Sequence, residues 1–126
     1  MKQKFPTDRA EKRQALLQAV DSVRDILAAG ADEAEAIRTL PQASVAALRE
    51  AGLFALKLPA VLGGAEADPV TQIEVIEAVS YIDPSAGWNL FIGAGGGSLC
   101  AFWPDEAIEQ MFRGGQHPSQ SVLRAD

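Results

Sequence analysis

One cysteine and one histidine are all that this 126-residue chain offers for thiol, imidazole or soft-metal chemistry. Cys100 by itself makes no internal disulfide. His117 lies in Gly114-Gly115-Gln116-His117-Pro118, where a solvated loop side chain is expected. Ser80 and Ser98 have no histidine at a suggestive spacing, so a hydrolase triad has no support. A metal site lacks ligands, because the carboxylates are spread over wet helix faces. Glu74 and Glu77, one helical turn apart, fit a solvated face better than a catalytic pair, and no catalytic residue is assigned. Positive charge is also scarce, with 11 Lys and Arg against 17 Asp and Glu and a net charge of −6. That balance disfavours nucleic acid and anionic membrane as partners, since both need a positive face. Residues 1–13 are polar and charged, which reads as cytoplasmic. The one long apolar stretch, around residues 86–103, is glycine-rich and interrupted by Asn89. It fits a buried helix better than a membrane span.

Hydrophobic residues make up 48% of the chain and charged residues 22%, the balance of one ordinary globular domain. Leu16, Val20, Val23 and Leu27 repeat at four, three and four within a first helix over 8–29. Thr7 or Asp8 is its N-cap and Gly30 its stop. A short helix follows at about 32–39. Pro41 opens a third through Ala51, with Val45, Leu48 and Ala51 inward and Gly52 as its end. Leu53 to Pro59 reads as extended, closing on the turn Gly63-Gly64. Asp68-Pro69 starts a helix to about Tyr81, with Val70, Ile73, Ile76, Val79 and Ile82 inward. Asp83-Pro84 repeats that signal and opens the helix carrying Gly93-Ala94-Gly95-Gly96-Gly97-Ser98. Trp103-Pro104-Asp105 breaks it. A last helix over about 105–113 presents Ala107, Ile108, Met111 and Phe112. The pattern predicts an all-α fold of about six helices.

The run of glycines from Gly93 invites a phosphate-loop interpretation, which its context opposes. Dinucleotide-binding glycines follow a strand, open a helix and belong to a strand–helix–strand unit. Here a helix start precedes Gly93, and no second strand ends in an acidic residue downstream. A P-loop also needs Gly-Lys-Ser/Thr, and the lysines stand at positions 2, 4, 12 and 57. As a helix, the run puts Gly93, Gly96 and Gly97 on one face. Each internal glycine costs about 0.5–1 kcal/mol relative to alanine, so something must lie close to the backbone. A packed helix and the small-residue wall of a ligand pocket both satisfy that. Trp88 reads as core, with the edge of a planar ligand as the other option. Asn89, an amide within an apolar helix, needs a neighbouring backbone group or a substrate group as partner. Cys100 reads as a small buried filler.

Several segments in order resemble the acyl-CoA dehydrogenase superfamily. These are Leu40-Pro41 leading through Leu48-Arg49-Glu50-Ala51-Gly52-Leu53-Phe54 to Leu58-Pro59 and Leu62-Gly63-Gly64. Next come Glu74-Val75-Ile76-Glu77-Ala78-Val79-Ser80 and Asp83-Pro84-Ser85-Ala86-Gly87-Trp88, then Phe102-Trp103-Pro104 with Ala107, Gln110 and Met111. The resemblance covers residues 8–118 and is to the family's N-terminal helical domain. Asp83 to Asn89 leans toward its two-component flavin-dependent monooxygenases.

The resemblance implies a longer protein, with a middle β-domain and a C-terminal helical bundle that helps make tetramers. On that view residues 1–118 are the N-terminal domain, and 119–126 are the start of the β-domain or a loose tail. FAD, or reduced FMN, would lie mainly between the missing parts, so residues 1–126 alone should neither bind it firmly nor turn over. The helix over 85–102 would close one side of the substrate pocket, which makes Trp88, Asn89, Ile92, Gly95, Gly96 and Ser98 the substrate-side candidates. The substrate would be an acyl thioester or an aromatic or polycyclic molecule. Related monooxygenases often carry a histidine in this helix, and the matching position here is Gly95. Acyl-CoA dehydrogenation and reduced-flavin hydroxylation both stay open. The rival from another class is a standalone helical module whose glycine helix packs on a protein partner.

Overall fold

The computed structural model describes residues 4–114. Its order is α1 (Arg9–Ile37), α2 (Gln42–Glu50), α3 (Pro69–Ile82), α4 (Pro84–Gly95) and α5 (Asp105–Met111). Three 3-10 segments, Leu53–Ala55, Ala60–Leu62 and Gly96–Phe102, complete it. The described residues are all-helical, as the periodicity requires. Among them no helix is long and apolar enough to cross a membrane. His117 and the segment 119–126 lie outside the described residues.

α1 begins at its expected cap, with the Asp8 carboxylate accepting from the Glu11 amide at 2.9 Å. It buries Leu16, Val20, Val23 and Leu27 as the stripe predicts. Each such side chain contributes about 1.5–3 kcal/mol when fully buried. Gly30 does not stop it. The helix continues to Ile37, about 43 Å in all, so the two helices expected over 8–39 are one. A Cβ on Gly30 would stand 2.7 Å from Ser44 Oγ and 3.5 Å from Pro41. The glycine is a crossing point for the start of α2. The stop is Arg38, in the left-handed conformation at φ 59°.

α2 buries Ser44, Ala47 and Leu48, while Val45 and Ala51 are half-buried. Residues 53–67 are not extended. They form two 3-10 turns and a loop folded back on itself, with Ala65 N donating to Ala55 O and Ala67 N to Leu56 O. Gly64 lies so close to the Leu58 carbonyl that no Cβ would fit.

α3 corrects a second expectation. Thr71, Val75 and Val79 point inward, whereas Val70 and Ile73 are 55% and 66% exposed. A helix apolar on nearly every side offers more than one inward stripe, and tertiary packing chooses between them. Asp68 caps α3 through the Val70 and Thr71 amides and accepts the Thr71 hydroxyl at 2.6 Å. Arg9 bonds Asp68 at 3.0 Å and Arg13 bonds Glu74 at 2.5 Å. These ties join the exposed flanks of α1 and α3, while packing against α1 and α4 buries Thr71, Val75 and Val79.

α3 and α4 share the most extensive helix–helix contact. Gly87 allows it, because a Cβ there would stand 1.9 Å from Ser80 Oγ. Asp83 both ends α3 and caps α4, accepting from the Ser85 amide at 3.0 Å. It is 4% exposed, and its other carboxylate oxygen has no partner among the described residues. A smaller cluster joins Ala55, Leu58, Cys100 and Phe112. Cys100 is the expected filler, and its burial raises the thiol pKa.

Candidate substrate-facing helix

The glycine run is helical, so it cradles no phosphate. Gly95 and Gly96 have ordinary right-handed backbones, at φ −56° and −76°. The glycines divide by whether anything lies close to them. A Cβ on Gly93 would meet the Phe54 ring at 2.7 Å, and one on Gly97 would meet the Leu58 amide nitrogen at 3.1 Å. Both pack against the domain's own chain. A Cβ on Gly95 would meet nothing within 4 Å.

α4 buries Ala86, Gly87, Leu90 and Ala94. At about 100° per residue, Trp88, Ile92 and Gly95 fall within about 60° of one another on the opposite side. Trp88 is 65% exposed, so it is not the core residue its size suggested. Phe91 is exposed beside it, with ring centroids 5.8 Å apart and planes tilted by 47°. Ile92 is half-buried, and Leu99 and Phe102, beyond Gly96, are exposed as well. This face is apolar and largely uncovered among the described residues.

The polar candidates sit at its margins. Asn89 is exposed and donates from Nδ2 to the Ser85 carbonyl at 2.8 Å, so a backbone group holds it. Its amide oxygen remains to accept a bond. Ser98 is exposed, with Oγ 3.4 Å from the Gly95 carbonyl oxygen. Gly96 is half-buried at the junction of α4 and the following 3-10 segment. The structure thus gathers Trp88, Ile92 and Gly95 on one face, sets Asn89 and Gly96 at its edge, and leaves Ser98 past the end of α4.

Two members were missed in the sequence. Phe91 was legible, one turn from both Trp88 and Gly95. Lys57 was not, because it comes from the loop before α3, and its Nζ stands 5.3 Å from the Phe91 centroid. At the start of α4 an open groove of about 430 Å³ runs between Trp88, Ser85 and Asn89 on one side and Arg38 and Leu40 on the other. Among the described residues no group of His, Cys, Asp and Glu could hold a metal. The face can bind and orient a flat apolar molecule.

The family model "Acyl-CoA dehydrogenase, N-terminal domain" matches residues 9–111. The chain belongs to this family. Among curated proteins it is similar to the oxygenase subunit HsaA of a flavin-dependent monooxygenase. With HsaA from Rhodococcus jostii it shares 35% identity over 72 residues, covering 57% of this chain and 19% of that protein. With HsaA from Mycobacterium tuberculosis it shares 29% over 110 residues, covering 86% and 27%. Among solved structures, XiaF from Streptomyces in complex with FADH2 and glycerol superposes with a TM-score of 0.78 and 31% identity, over 84% of this chain and 27% of that one. The 3-HSA hydroxylase of Rhodococcus superposes with a TM-score of 0.72 and 29% identity, over 79% and 26%. The chain thus spans about a fifth to a quarter of these relatives' length.

Proposed function

We propose that this chain is the N-terminal part of a flavin-dependent monooxygenase with the acyl-CoA dehydrogenase fold. In it the outward face of α4 walls the pocket that holds an aromatic or polycyclic substrate against the flavin. The observation that carries this is the open space over Gly95, on a face whose other members are Trp88, Phe91 and Ile92. A missing Cβ on an exposed apolar helix face admits a flat ring close to the backbone. The similarity to HsaA and XiaF favours hydroxylation over thioester dehydrogenation.

Reduced flavin, once bound, supplies the electrons that activate dioxygen. This chain's residues hold the substrate. Trp88 and Phe91 offer ring faces, Ile92 excludes water, and Asn89 presents an amide oxygen at the edge. FAD and reduced FMN are the candidate cofactors. Most of their binding surface belongs to parts outside these 126 residues, and the intact protein is a cytoplasmic homo-oligomer. The test is turnover by the intact protein. One arm supplies reduced FAD or FMN, dioxygen and a polycyclic phenol, and the other an acyl-CoA thioester with an electron acceptor. Hydroxylated product carries the proposal. Desaturated thioester moves the chain to the dehydrogenases, and activity in neither arm overturns the flavoenzyme assignment.

A further inference from the structure

We propose that Lys57 is a substrate-binding residue of this wall and takes the anionic oxygen of an aromatic acid or phenol lying over Gly95. The inference rests on the α4 face being the substrate wall. It deepens that assignment by naming the substrate's charge.

Four observations carry it. First, Lys57 breaks an otherwise apolar run from Leu53 to Leu58, in which its neighbours Leu56 and Leu58 are buried. Second, its backbone is held on both sides. Leu56 O accepts from Ala67 N at 3.1 Å, Leu58 O accepts from Glu66 N at 3.0 Å, and Leu58 lies against Gly97. The side chain therefore leaves from a fixed point beside the end of α4. Third, its ammonium stands over the Phe91 ring at 5.3 Å. Phe91 lies one helical turn from Gly95, so the charge is set against a residue next to the gap. Fourth, among the described residues Lys57 makes no ion pair, unlike Arg9, Arg13 and Arg24, which pair with Asp68, Glu74 and Asp21.

An ammonium carries three N–H donors, and a ring face occupies one side of it. The remaining donors stay available to a group lying beside Phe91. A neutral polycycle leaves them without a charged partner in a site that the rest of the protein covers. A phenolate or carboxylate oxygen satisfies them. Among the described residues Lys57 is the cation set against Phe91, while Arg38 lines the groove beside Trp88 at the other end of α4.

The test compares binding of 2-naphthoate and neutral 2-naphthamide to the intact protein and its variants by calorimetry. The wild type should favour naphthoate by about tenfold, the scale of one hydrogen bond to a charged group. Lys57→Met should remove that preference and leave the naphthamide affinity within about twofold. Lys57→Arg should restore it. A preference that survives in Lys57→Met overturns the proposal, as does equal binding of both probes by the wild type. Loss of both probes in Lys57→Met also overturns it, by showing that the side chain only props Phe91. Turnover separates the two levels. Hydroxylation without a Lys57-dependent preference sinks this inference alone. A Lys57-dependent preference without flavin-dependent turnover sinks the monooxygenase assignment instead.

Discussion

The ring of Phe54 lies 2.7 Å from where a Cβ on Gly93 would stand, and two residues on, above Gly95, there is open space. Two glycines half a turn apart in one helix therefore do opposite work. Gly93→Ala should cost about 1–3 kcal/mol, because a buried ring must move. Gly95→Ala should gain about 0.5–1 kcal/mol by restoring helix propensity. Urea midpoints of the two variants measure the difference.

Gly95→Leu carries the functional half of that contrast. Its side chain enters space that the domain does not use, so the urea midpoint should stay near the wild type. Activity of the intact protein should fall by about tenfold or more, since a filled pocket excludes its ligand. Normal activity in a well-folded variant would remove Gly95 from the pocket.

Gly87 tests the packing that aims this face. A Cβ there would stand 2.8 Å from Ser80 Cβ and 2.9 Å from its Cα. Gly87→Ala should lose about 2–3 kcal/mol by forcing α3 and α4 apart. Ser80→Ala in the same chain should not rescue it, because the Ser80 backbone still obstructs. Recovery of the denaturation midpoint in the double variant would show the hydroxyl to be the whole obstacle.

Asp68 gives the fold a dependence on acid. Its carboxyl is held well below the usual carboxylate range, chiefly by the Thr71 hydroxyl and then by the Thr71 amide and Arg9. A folded-state pKa below the unfolded value of about 3.9 stabilises the protein at neutral pH. That contribution declines as pH falls below about 4, when the unfolded chain takes up protons first. Asp68→Asn should flatten the slope of urea midpoint against pH between about 4 and 2. Equal slopes in the two proteins would show that the cap and ion pair carry no proton linkage.

Asp83→Ala should cost about 1–2 kcal/mol through loss of the α4 cap. Asp83→Asn should cost less, since an amide oxygen still accepts from the Ser85 amide. Thermal melts of both variants rank them.

Most of the helices were legible because their ends are written locally. Asp8, Asp68-Pro69 and Asp83-Pro84 each supply an acceptor for the first-turn amides, with proline at the start of the last two helices. Gly30 misled because a glycine that ends a helix and one that lets another element cross look alike in sequence. Ser44, which decides between them, is 14 residues away. The α3 stripe was misassigned for a related reason. Val70, Ile73 and Val75 are equally apolar, and the inward side is set by packing against α1 and α4, which no local signal reveals. Trp88 and Gly95 were placed in the right helix, but nothing local says that a tryptophan faces outward. Lys57 could not be reached at all, since its distance to Phe91 depends on how residues 53–67 fold.

Asp83 is the one residue between α3 and α4, the C-cap of the first and the N-cap of the second. A joint of one residue has no slack. The wall formed by α4 cannot be re-aimed by lengthening a loop or relaxing a turn, because any rotation strips a cap from one helix or a packing surface from the other. Changes in what this face accepts should therefore come from exchanging side chains at 88, 91, 92 and 95 on a helix that stays where it is.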